Sequence, residues 1–211
     1  MSIFKTIADS DIYLYVDFRS GSGIDRSGNF TTSIGSNGKL VHKKLYSANT
    51  LGLVTTADVA INKSDFTIIA KHRTVTKLNG QFYTFGTGND RGLLLYNNVL
   101  QTRIDSTYYT ETLVGTIYDA GGEFVSYGFS ADRDATGQFY VNGVAVGTAK
   151  NISAKANYDI NYSKSVLTTY TDNTFETQYV LLLKKALTDT EMSELTAELE
   201  TKKWTSKTKS R

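Results

Sequence analysis

The chain has 211 residues, of which 40% are apolar, 21% charged and 12% aromatic, a composition that supports a packed core and excludes an intrinsically disordered chain. It contains no cysteine and no proline, so disulfides, thiolate metal sites and a cysteine nucleophile are excluded. The net charge of +2 hides an acidic main part, because five of the 23 basic residues and no acidic residue lie in 201–211, which leaves 18 basic against 21 acidic side chains in 1–200. We therefore expect no nucleic-acid-binding face.

Short segments with alternating or continuous apolar residues follow one another along the chain, each bounded by Gly, Asn, Asp or Ser. Such segments are typical of β-strands. They predict strands at Ile12–Phe18, Phe66–Val75, Gln81–Phe85, Gly92–Tyr96, Val99–Ile104, Glu123–Ser130, Gln138–Val141, Val144–Thr148, Ser165–Thr169 and Thr177–Lys184.

Two features refine this strand pattern. The runs Phe66–Val75 and Val180–Leu183 have apolar residues at both odd and even positions. This pattern predicts central strands that are covered on both faces. The pair Asn142-Gly143 lies between two apolar-rich runs, and Asn-Gly favours a type I′ turn because both positions need a positive φ. We therefore expect a β-hairpin that turns at Asn142-Gly143.

One segment has the pattern of a helix. Thr188 and Glu191 have the spacing of a capping box, in which each side chain accepts a hydrogen bond from the other residue's backbone N–H. Met192, Leu195 and Leu199 follow at three- and four-residue spacing and form one apolar stripe. The sequence therefore predicts a single amphipathic helix, packed on the edge of the β structure.

Many strands and one helix predict sheets that pack on each other, since too few helices are present to cover them. We expect one β-sandwich domain over residues 1–200 and a basic C-terminal tail over 201–211. The N-terminal segment does not have the pattern of a signal peptide, and no apolar run approaches the length that crosses a bilayer. The sequence therefore predicts no membrane partner.

Several motifs occur in a recognisable order along most of the chain. They are Tyr13–Phe18 followed by Asp25–Asn29, Asp65–Lys71, Tyr83–Gly86 with Gly92–Tyr96, Phe124–Ser130 followed by Thr136–Val146, and Leu183–Glu191. In this order they resemble the laminin-G-like, concanavalin-A-like jelly-roll superfamily of lectins and glucanases. The resemblance implies an all-β, two-sheet antiparallel jelly-roll sandwich and a binding role toward glycans or proteins, sometimes with calcium.

Exposed aromatic and loop residues are the candidates for ligand binding. Tyr108 and Tyr109 are neighbours in a strand-like stretch, so their rings point to opposite faces and one of them faces solvent, where it forms a platform for a sugar or a protein. Asn89, Asp90 and Asn97 are loop residues with oxygen atoms able to bind sugar hydroxyls or calcium. Ordinary cross-strand packing and turn formation are the simpler interpretations of all five residues.

No catalytic or metal site is predicted. Apart from the four glutamates of the predicted helix, Glu111, Glu123 and Glu176 are far apart in sequence, and Asp172 with Glu176 is the nearest mixed pair. His42 and His72 lack metal-ligand spacing, so both are expected at the surface or at a strand edge.

One loop has the composition of a calcium site. Asp132–Gly137 begins like an oxygen-rich calcium loop, but Gly143 stands where a bidentate glutamate belongs. A plain turn is the favoured interpretation, and calcium is possible but not predicted.

The expected function is a non-catalytic binding or decoration module on a virion surface, in the form of a capsid-decoration, head-fibre or tail component. A cysteine-free chain without a recognisable secretion signal suits a protein made in the bacterial cytoplasm and exposed after assembly. The expected partners are virion or capsid proteins, further copies of the chain and cell-surface glycans. A glycoside hydrolase or polysaccharide lyase on the same fold is the alternative.

Overall fold

The computed structural model describes residues 2–36, 38–75, 81–86, 89–96, 99–113 and 122–202. Within the strands, the side chains at 46–51, 74, 81–83, 96, 165 and 168–173 are not described. No helix in these ranges is long and apolar enough to cross a membrane.

Over these ranges the secondary structure consists of fifteen strands, three short 3₁₀ turns and one α-helix. The strands are β1 Ile12–Asp17, β2 Thr32–Ile34, β3 Gly38–Val41, β4 Lys44–Thr55, β5 Val59–Asn62, β6 Phe66–Thr74, β7 Gln81–Thr84, β8 Arg91–Tyr96, β9 Val99–Ile104, β10 Thr107–Thr112, β11 Val125–Ala131, β12 Thr136–Val141, β13 Val144–Asn151, β14 Ile160–Tyr162 and β15 Ser165–Leu183, and the helix is α1 Asp189–Thr201. The prediction of an all-β protein with one C-terminal helix is confirmed.

The predicted strands are present with small shifts at their ends, but two of them belong to one element. Ser165–Thr169 and Thr177–Lys184 were expected as separate strands and form the 19-residue strand β15. Its first half pairs with β4 and β7, and its second half pairs with β6 on one side and, on the other side, with β4 at residues 174–177 and with β1 at residues 179–183. β15 is therefore the element through which thirteen antiparallel strands become one hydrogen-bonded network.

The two halves of this network enclose a common core. Leu93, Leu95 and Leu100 of β8 and β9 belong to the same buried apolar cluster as Ile68 of β6 and Phe129 of β11. The approach is close enough that a Cβ atom added to Gly92 would lie 2.7 Å from Ile68 Cδ1. Because strands that are not paired share one interior, β8–β9 and β6–β11 form two layers that face each other.

The outer strands of the two layers meet at one edge. Glu111 of β10 forms an ion pair with Lys150 of β13, with 2.8 Å between Oε2 and Nζ. Gly147 of β13 has a φ of +66°, and a Cβ atom at this position would clash with the Glu111 carboxylate. The positive φ favours glycine here, and the missing Cβ leaves room for the Glu111 carboxylate.

The helix covers a sheet face, which corrects the expected position at the edge. The capping box is present, since Glu191 N–H donates to Thr188 Oγ1 at 3.3 Å and Thr188 N–H donates to Glu191 Oε2 at 3.0 Å. The predicted stripe of Met192, Leu195 and Leu199 is buried. It packs with apolar residues of β1, β6, β12 and β15 that point away from the central core, namely Ile12, Ile69, Tyr140, Leu181 and Leu183.

Two segments from the N-terminal part of the chain are fastened to this helix. The Glu198 carboxylate accepts hydrogen bonds from the backbone N–H groups of Lys5 and Thr6, at 2.9 and 3.3 Å. Arg19 donates from Nη1 to the carbonyl oxygen of Leu199 at 2.7 Å and is itself paired with the buried Asp17. The bond from Arg19 gives the helix C-terminus a cationic partner, which also complements the helix dipole.

A single carboxylate organises the first long loop, in the segment Asp25–Asn29. Asp25 is buried and accepts hydrogen bonds from the backbone N–H groups of Tyr15, Ser27 and Phe30 at 2.9–3.0 Å, and from the Ser27 hydroxyl at 2.7 Å. The motif that suggested a family resemblance therefore has a local physical reason, because one acidic side chain satisfies donors from both sides of the loop.

Three hairpins turn through two residues with positive φ. The predicted turn at Asn142-Gly143 has φ values of +50° and +80°, which confirms the β12–β13 hairpin. His42-Lys43 connects β3 to β4 and Asp105-Ser106 connects β9 to β10 in the same manner, although neither pair contains glycine. These two hairpins lack the sequence signal on which the first prediction rested.

One histidine differs from its expected position. His42 is exposed at the tip of the β3–β4 hairpin, as expected, but His72 is only 2% exposed and lies within β6. Its ring stacks on Tyr127, with 5.6 Å between the ring centroids and 23° between the ring planes. Burial lowers the pKa of His72 from 6.5 to about 3, because the charged imidazolium is poorly solvated in the interior.

Acid sensitivity follows from the buried imidazole. The unfolded chain binds a proton at His72 near pH 6.5 and the folded chain does so only near pH 3, so the free energy of unfolding falls as pH decreases between these values. From pH 7 to pH 5 we expect a loss of about 2 kcal/mol from this group, since each pH unit below 6.5 costs about 1.4 kcal/mol. Urea unfolding of the native chain and of His72→Phe at pH 7 and pH 5 measures this loss. Between these pH values the unfolding free energy of His72→Phe is expected to fall by about 2 kcal/mol less than that of the native chain.

The matched control is His42→Asn, which replaces an exposed histidine by a residue that tolerates positive φ. This variant is expected to lose as much stability as the native chain. Equal losses for His72→Phe and the native chain contradict the assignment.

Candidate functional site

The outer face of β8, β9 and β10 carries the candidate binding surface. Along β9 the side chains alternate strictly, with Leu100, Thr102 and Ile104 buried and the intervening residues partly exposed. The antiparallel register pairs Arg103 with Tyr108 of β10 and with Arg91 of β8. Directly paired residues point to the same face of a sheet, so these three side chains form a row across three neighbouring strands.

The geometry of this row joins one aromatic ring to two positive charges. The guanidinium of Arg103 lies over the Tyr108 ring, with 5.0 Å from Cζ to the ring centroid, and Arg91 donates from Nη1 to the Tyr108 hydroxyl at 3.4 Å. Tyr108 remains 47% exposed. The first contact is a cation–π interaction, which holds the guanidinium against the face of the ring. We call Arg91, Arg103 and Tyr108 the arginine–tyrosine row.

One of the two predicted tyrosines faces solvent and the other faces the core, as expected. Tyr108 faces solvent, and it is the one exposed aromatic residue among the side chains that the structure describes. Tyr109 is half-buried and packs against the core between the layers. The platform role therefore falls to Tyr108 alone, whereas Tyr109 has the packing role that strand tyrosines commonly have.

The predicted loop residues lie near this row but differ in accessibility. Asn89 is exposed, and its carbonyl oxygen accepts a hydrogen bond from Ser106 N–H at 3.1 Å in the β9–β10 turn. Asp90 is only 5% exposed, which corrects the expectation of a surface carboxylate. Asn97 lies outside the described residues.

The Asp90 carboxylate is used inside the protein. Its Oδ1 accepts a hydrogen bond from Asp105 N–H at 2.9 Å, and its Oδ2 accepts from the Tyr158 hydroxyl at 3.2 Å and from Asn161 N–H at 3.1 Å. These bonds connect the β9–β10 turn to β14 and the segment before it. Asp90 therefore positions the hairpin that carries Tyr108 and is not part of the binding surface.

The oxygen-rich loop at Asp132–Gly137 is a turn built around a buried cation. Arg133 is 1% exposed, and its Nη1 and Nη2 donate to the carbonyl oxygens of Asn62 and Tyr158 at 3.3 and 2.9 Å. Its backbone N–H donates to Asp65 Oδ1 at 2.8 Å. Within the described ranges no three His, Asp or Glu side chains are grouped so that they hold a metal ion.

The scattered carboxylates have structural partners. Glu176 forms ion pairs with Arg73 and Lys44 at 2.7 and 3.1 Å. Burial alone would raise the pKa of Glu176, but the hydrogen bonds from Arg73 and Lys44 lower it below its usual value. A glycosidase acid needs the opposite shift. Asp172, its predicted neighbour, is outside the described side chains.

The two arginines of the row were missed by the sequence reasoning, although a signal for them exists. A two-residue turn at Asp105-Ser106 pairs Ile104 with Thr107 and hence Arg103 with Tyr108. Reading the turn first would have placed Arg103 beside the predicted platform. The turn lacked glycine, so the register of the hairpin was not available from local sequence alone.

No family model matches the chain, and no curated protein matches it in sequence. Solved structures match it in fold. The binding domain of Paraclostridial Mosquitocidal Protein 1 has a TM-score of 0.69 and 12% identity, over 92% of this chain and 53% of that chain. Botulinum neurotoxin type C, whose cell entry depends on two ganglioside molecules, has a TM-score of 0.66 and 16% identity, over 90% of this chain and 52% of that chain.

A third similar structure is the binding domain of botulinum neurotoxin DC in complex with rat synaptotagmin II, with a TM-score of 0.66 and 16% identity over 90% of this chain and 52% of that chain. At these identities the likeness is one of fold. The chain spans about half the length of these structures. Two of the three are named as binding domains.

Proposed function

We propose that the chain is a non-catalytic binding module that recognises acidic glycans through the arginine–tyrosine row. The observation that carries the proposal is the exposed Tyr108 ring, which contacts Arg103 through its face and Arg91 through its hydroxyl. An exposed aromatic face packs on the apolar face of a sugar ring, and a guanidinium forms charge-assisted hydrogen bonds with carboxylate or sulfate groups. The similar structures include one in complex with N-acetylneuraminic acid, an acidic sugar.

We infer in addition that the two layers form a jelly-roll sandwich of the laminin-G-like, concanavalin-A-like kind, and that residues 1–200 are one domain. The shared core of β6, β11, β8 and β9 supports this inference, as do the antiparallel pairings and the meeting of β10 with β13 at one edge. In such a sandwich the outer face of β8–β10 is free to carry a ligand.

A protein partner at the same surface is the second candidate. Tyrosine and arginine are the residue types enriched at the energetic centres of protein interfaces, and one similar structure is a complex with rat synaptotagmin II. This candidate uses the same three side chains and differs in its ligand. Failure of every acidic glycan to bind, with retention of a protein contact that depends on Tyr108, favours it.

The enzyme alternative has less support. A hydrolase or lyase needs two carboxylates that converge on a sugar, one of them with a raised pKa. Glu176 and Glu111 are each held by lysine or arginine, and the pKa of Glu176 is lowered. The arginine–tyrosine row contains no carboxylate. Binding without turnover is therefore the function that these side chains favour.

Binding of 3′-sialyllactose and of neutral lactose, measured by isothermal titration calorimetry, tests the acidic-glycan proposal. We expect 3′-sialyllactose to bind, lactose to bind much more weakly, and salt to weaken the binding, since partly exposed charges are screened. Tyr108→Ser and Arg103→Gln are each expected to reduce the affinity about tenfold, which corresponds to ~1.4 kcal/mol.

The control is Lys39→Gln, which removes an exposed positive charge from β3 and is expected to bind as the native chain does. Thermal unfolding of each variant separates a loss of binding from a loss of fold. The recovered glycan should be unchanged after long incubation. Equal affinity for both sugars, or full affinity after Tyr108→Ser, contradicts the proposal.

We further propose that the module acts on a virion surface as a capsid-decoration, head-fibre or tail component made in the cytoplasm. The absence of cysteine supports it, because such a chain needs no oxidising compartment, and the basic segment 201–211 offers five positive charges for contact with an acidic assembly. Residues 203–211 of that segment lie outside the described residues.

Labelling of intact particles with an antibody against the chain, viewed by electron microscopy, tests the proposed location. Label at regular positions on the particle surface is the expected result. Recovery of the chain only as free monomer in the cytosol, with no label on purified particles, contradicts this location.

A further inference from the structure

The arginine–tyrosine row is one end of a longer strip on the outer face of β9 and β10. Directly paired residues of two strands point to the same face of a sheet, and so does every second residue along each strand. On β10 the side chains of Tyr108, Thr110 and Thr112 are exposed, whereas Tyr109 and Glu111 between them are only partly exposed. The strip is formed by three paired positions, Arg103–Tyr108, Gln101–Thr110 and Val99–Thr112, and we call it the β9–β10 strip.

The β9–β10 strip is longer than one sugar unit. Tyr108 and Thr112 are four residues apart in β10, which corresponds to about 14 Å along an antiparallel strand. A pyranose ring that stacks on Tyr108 covers the first paired position and leaves the other two open. A glycan of two or three units is therefore needed to contact all three positions.

Positive charge is present at one end of the β9–β10 strip. Arg103 belongs to the first paired position, and Arg91 of β8 lies beside it. The other two paired positions contain no charged side chain. A carboxylate that loses part of its water over these positions gains no ion pair in return, which costs free energy. The strip therefore favours an acidic unit at one end and disfavours a second one along its length.

The charged residues that border the strip do not change this pattern. Asp105 lies in the turn beyond the row and pairs with Lys155 at 2.9 Å, and its side chain is 45% exposed. Glu111 of β10 points away from the strip, because strand residues alternate, and it pairs with Lys150. Each of these lysines is neutralised by its own carboxylate. The exposed carboxylate of Asp105 repels an acidic glycan that extends past the row.

The uncharged positions of the strip are suited to sugar hydroxyls. The side chains of Gln101, Thr110 and Thr112 are all at least partly exposed. The two threonine hydroxyls each donate and accept hydrogen bonds, and the Gln101 amide has donors and an acceptor. Neutral sugar hydroxyls match such groups without bringing a charge. The row therefore favours an acidic unit, and the rest of the strip favours neutral units.

We propose that the β9–β10 strip binds an oligosaccharide with one acidic unit at its end, placed on the arginine–tyrosine row, and neutral units along Gln101, Thr110 and Thr112. A glycan that carries an acid on every unit is the ligand class that the strip disfavours. This inference rests on the proposed function and deepens it, because it names the kind of acidic glycan and the direction in which the glycan lies.

Calorimetric titration of the full chain with three ligands tests the inference. They are the methyl α-glycoside of N-acetylneuraminic acid, 3′-sialyllactose, and α2,8-linked trisialic acid, which has as many units as 3′-sialyllactose but an acid on each. We expect 3′-sialyllactose to bind about fivefold more tightly than either of the others. Its neutral units form additional hydrogen bonds along the strip, and no carboxylate lies over the uncharged positions.

Two substitutions on the strip have opposite expected effects. Thr110→Val removes one hydroxyl and keeps the shape of a strand residue, so it is expected to weaken 3′-sialyllactose binding about fivefold and to leave binding of the methyl glycoside unchanged. Gln101→Lys adds a positive charge under the second unit and is expected to strengthen trisialic acid binding about threefold. Such a gain of binding does not arise from a loss of fold.

The matched control is Thr148→Val, which makes the same change at an exposed position of β13 and should leave all three affinities unchanged. Tighter binding of trisialic acid than of 3′-sialyllactose, equal affinity for 3′-sialyllactose and the methyl glycoside, or native affinities in both strip variants overturns this inference while the row remains an acidic-glycan site. If none of the three ligands binds, or if Tyr108→Ser binds them as the native chain does, the proposed function fails and this inference fails with it.

Discussion

The pairing of one long strand with four others is the constraint on which the fold depends. β15 lies between β4 and β7 along its first half, and along its second half it lies between β6 on one side and β4 followed by β1 on the other. Val180–Leu183, in the second half, are fully buried, because the helix covers one face of the strand and the opposite layer covers the other. Each layer therefore contains a part of the same strand, and neither forms its complete set of hydrogen bonds without the other.

Buried polar side chains fix the long connections between the strands through hydrogen bonds. Asp25, Asp90 and Arg133 each hold several backbone or side-chain groups of long connections. In a chain without proline, such bonds supply the rigidity of the loops, because a satisfied buried polar group fixes the positions of all its partners. Through its hydrogen bonds, Asp90 sets the position of the β9–β10 hairpin and therefore of Tyr108.

The sequence predicts the strands whose apolar pattern is strong and misses those that depend on distant partners. The central strands, the Asn142-Gly143 hairpin and the capping box at Thr188 follow from local rules, and they are present. The continuity of β15 does not follow, because Asp172 and Asn173 in its middle have weak strand propensity and interrupt the apolar pattern. His72 was misplaced for a related reason, since a polar residue in a strand gives no sign of which face is covered.

The candidate site was predictable in part. Alternation predicts that one of Tyr108 and Tyr109 faces solvent without saying which, and the structure shows that Tyr108 is exposed and Tyr109 turns inward. Arg91 and Arg103 reach the platform only through the register of three strands. The arginine–tyrosine row is therefore a consequence of tertiary packing, for which local sequence carries little signal.

If β15 makes the two layers a single cooperative unit, then both of its halves should open only when the whole chain unfolds. Native-state amide hydrogen exchange at Leu167 in the first half and at Val180 and Leu181 in the second half measures this directly. The same opening free energy at all three amides, equal to that of global unfolding, is the predicted result. Exchange of one half at a much lower free energy than the other would contradict the account.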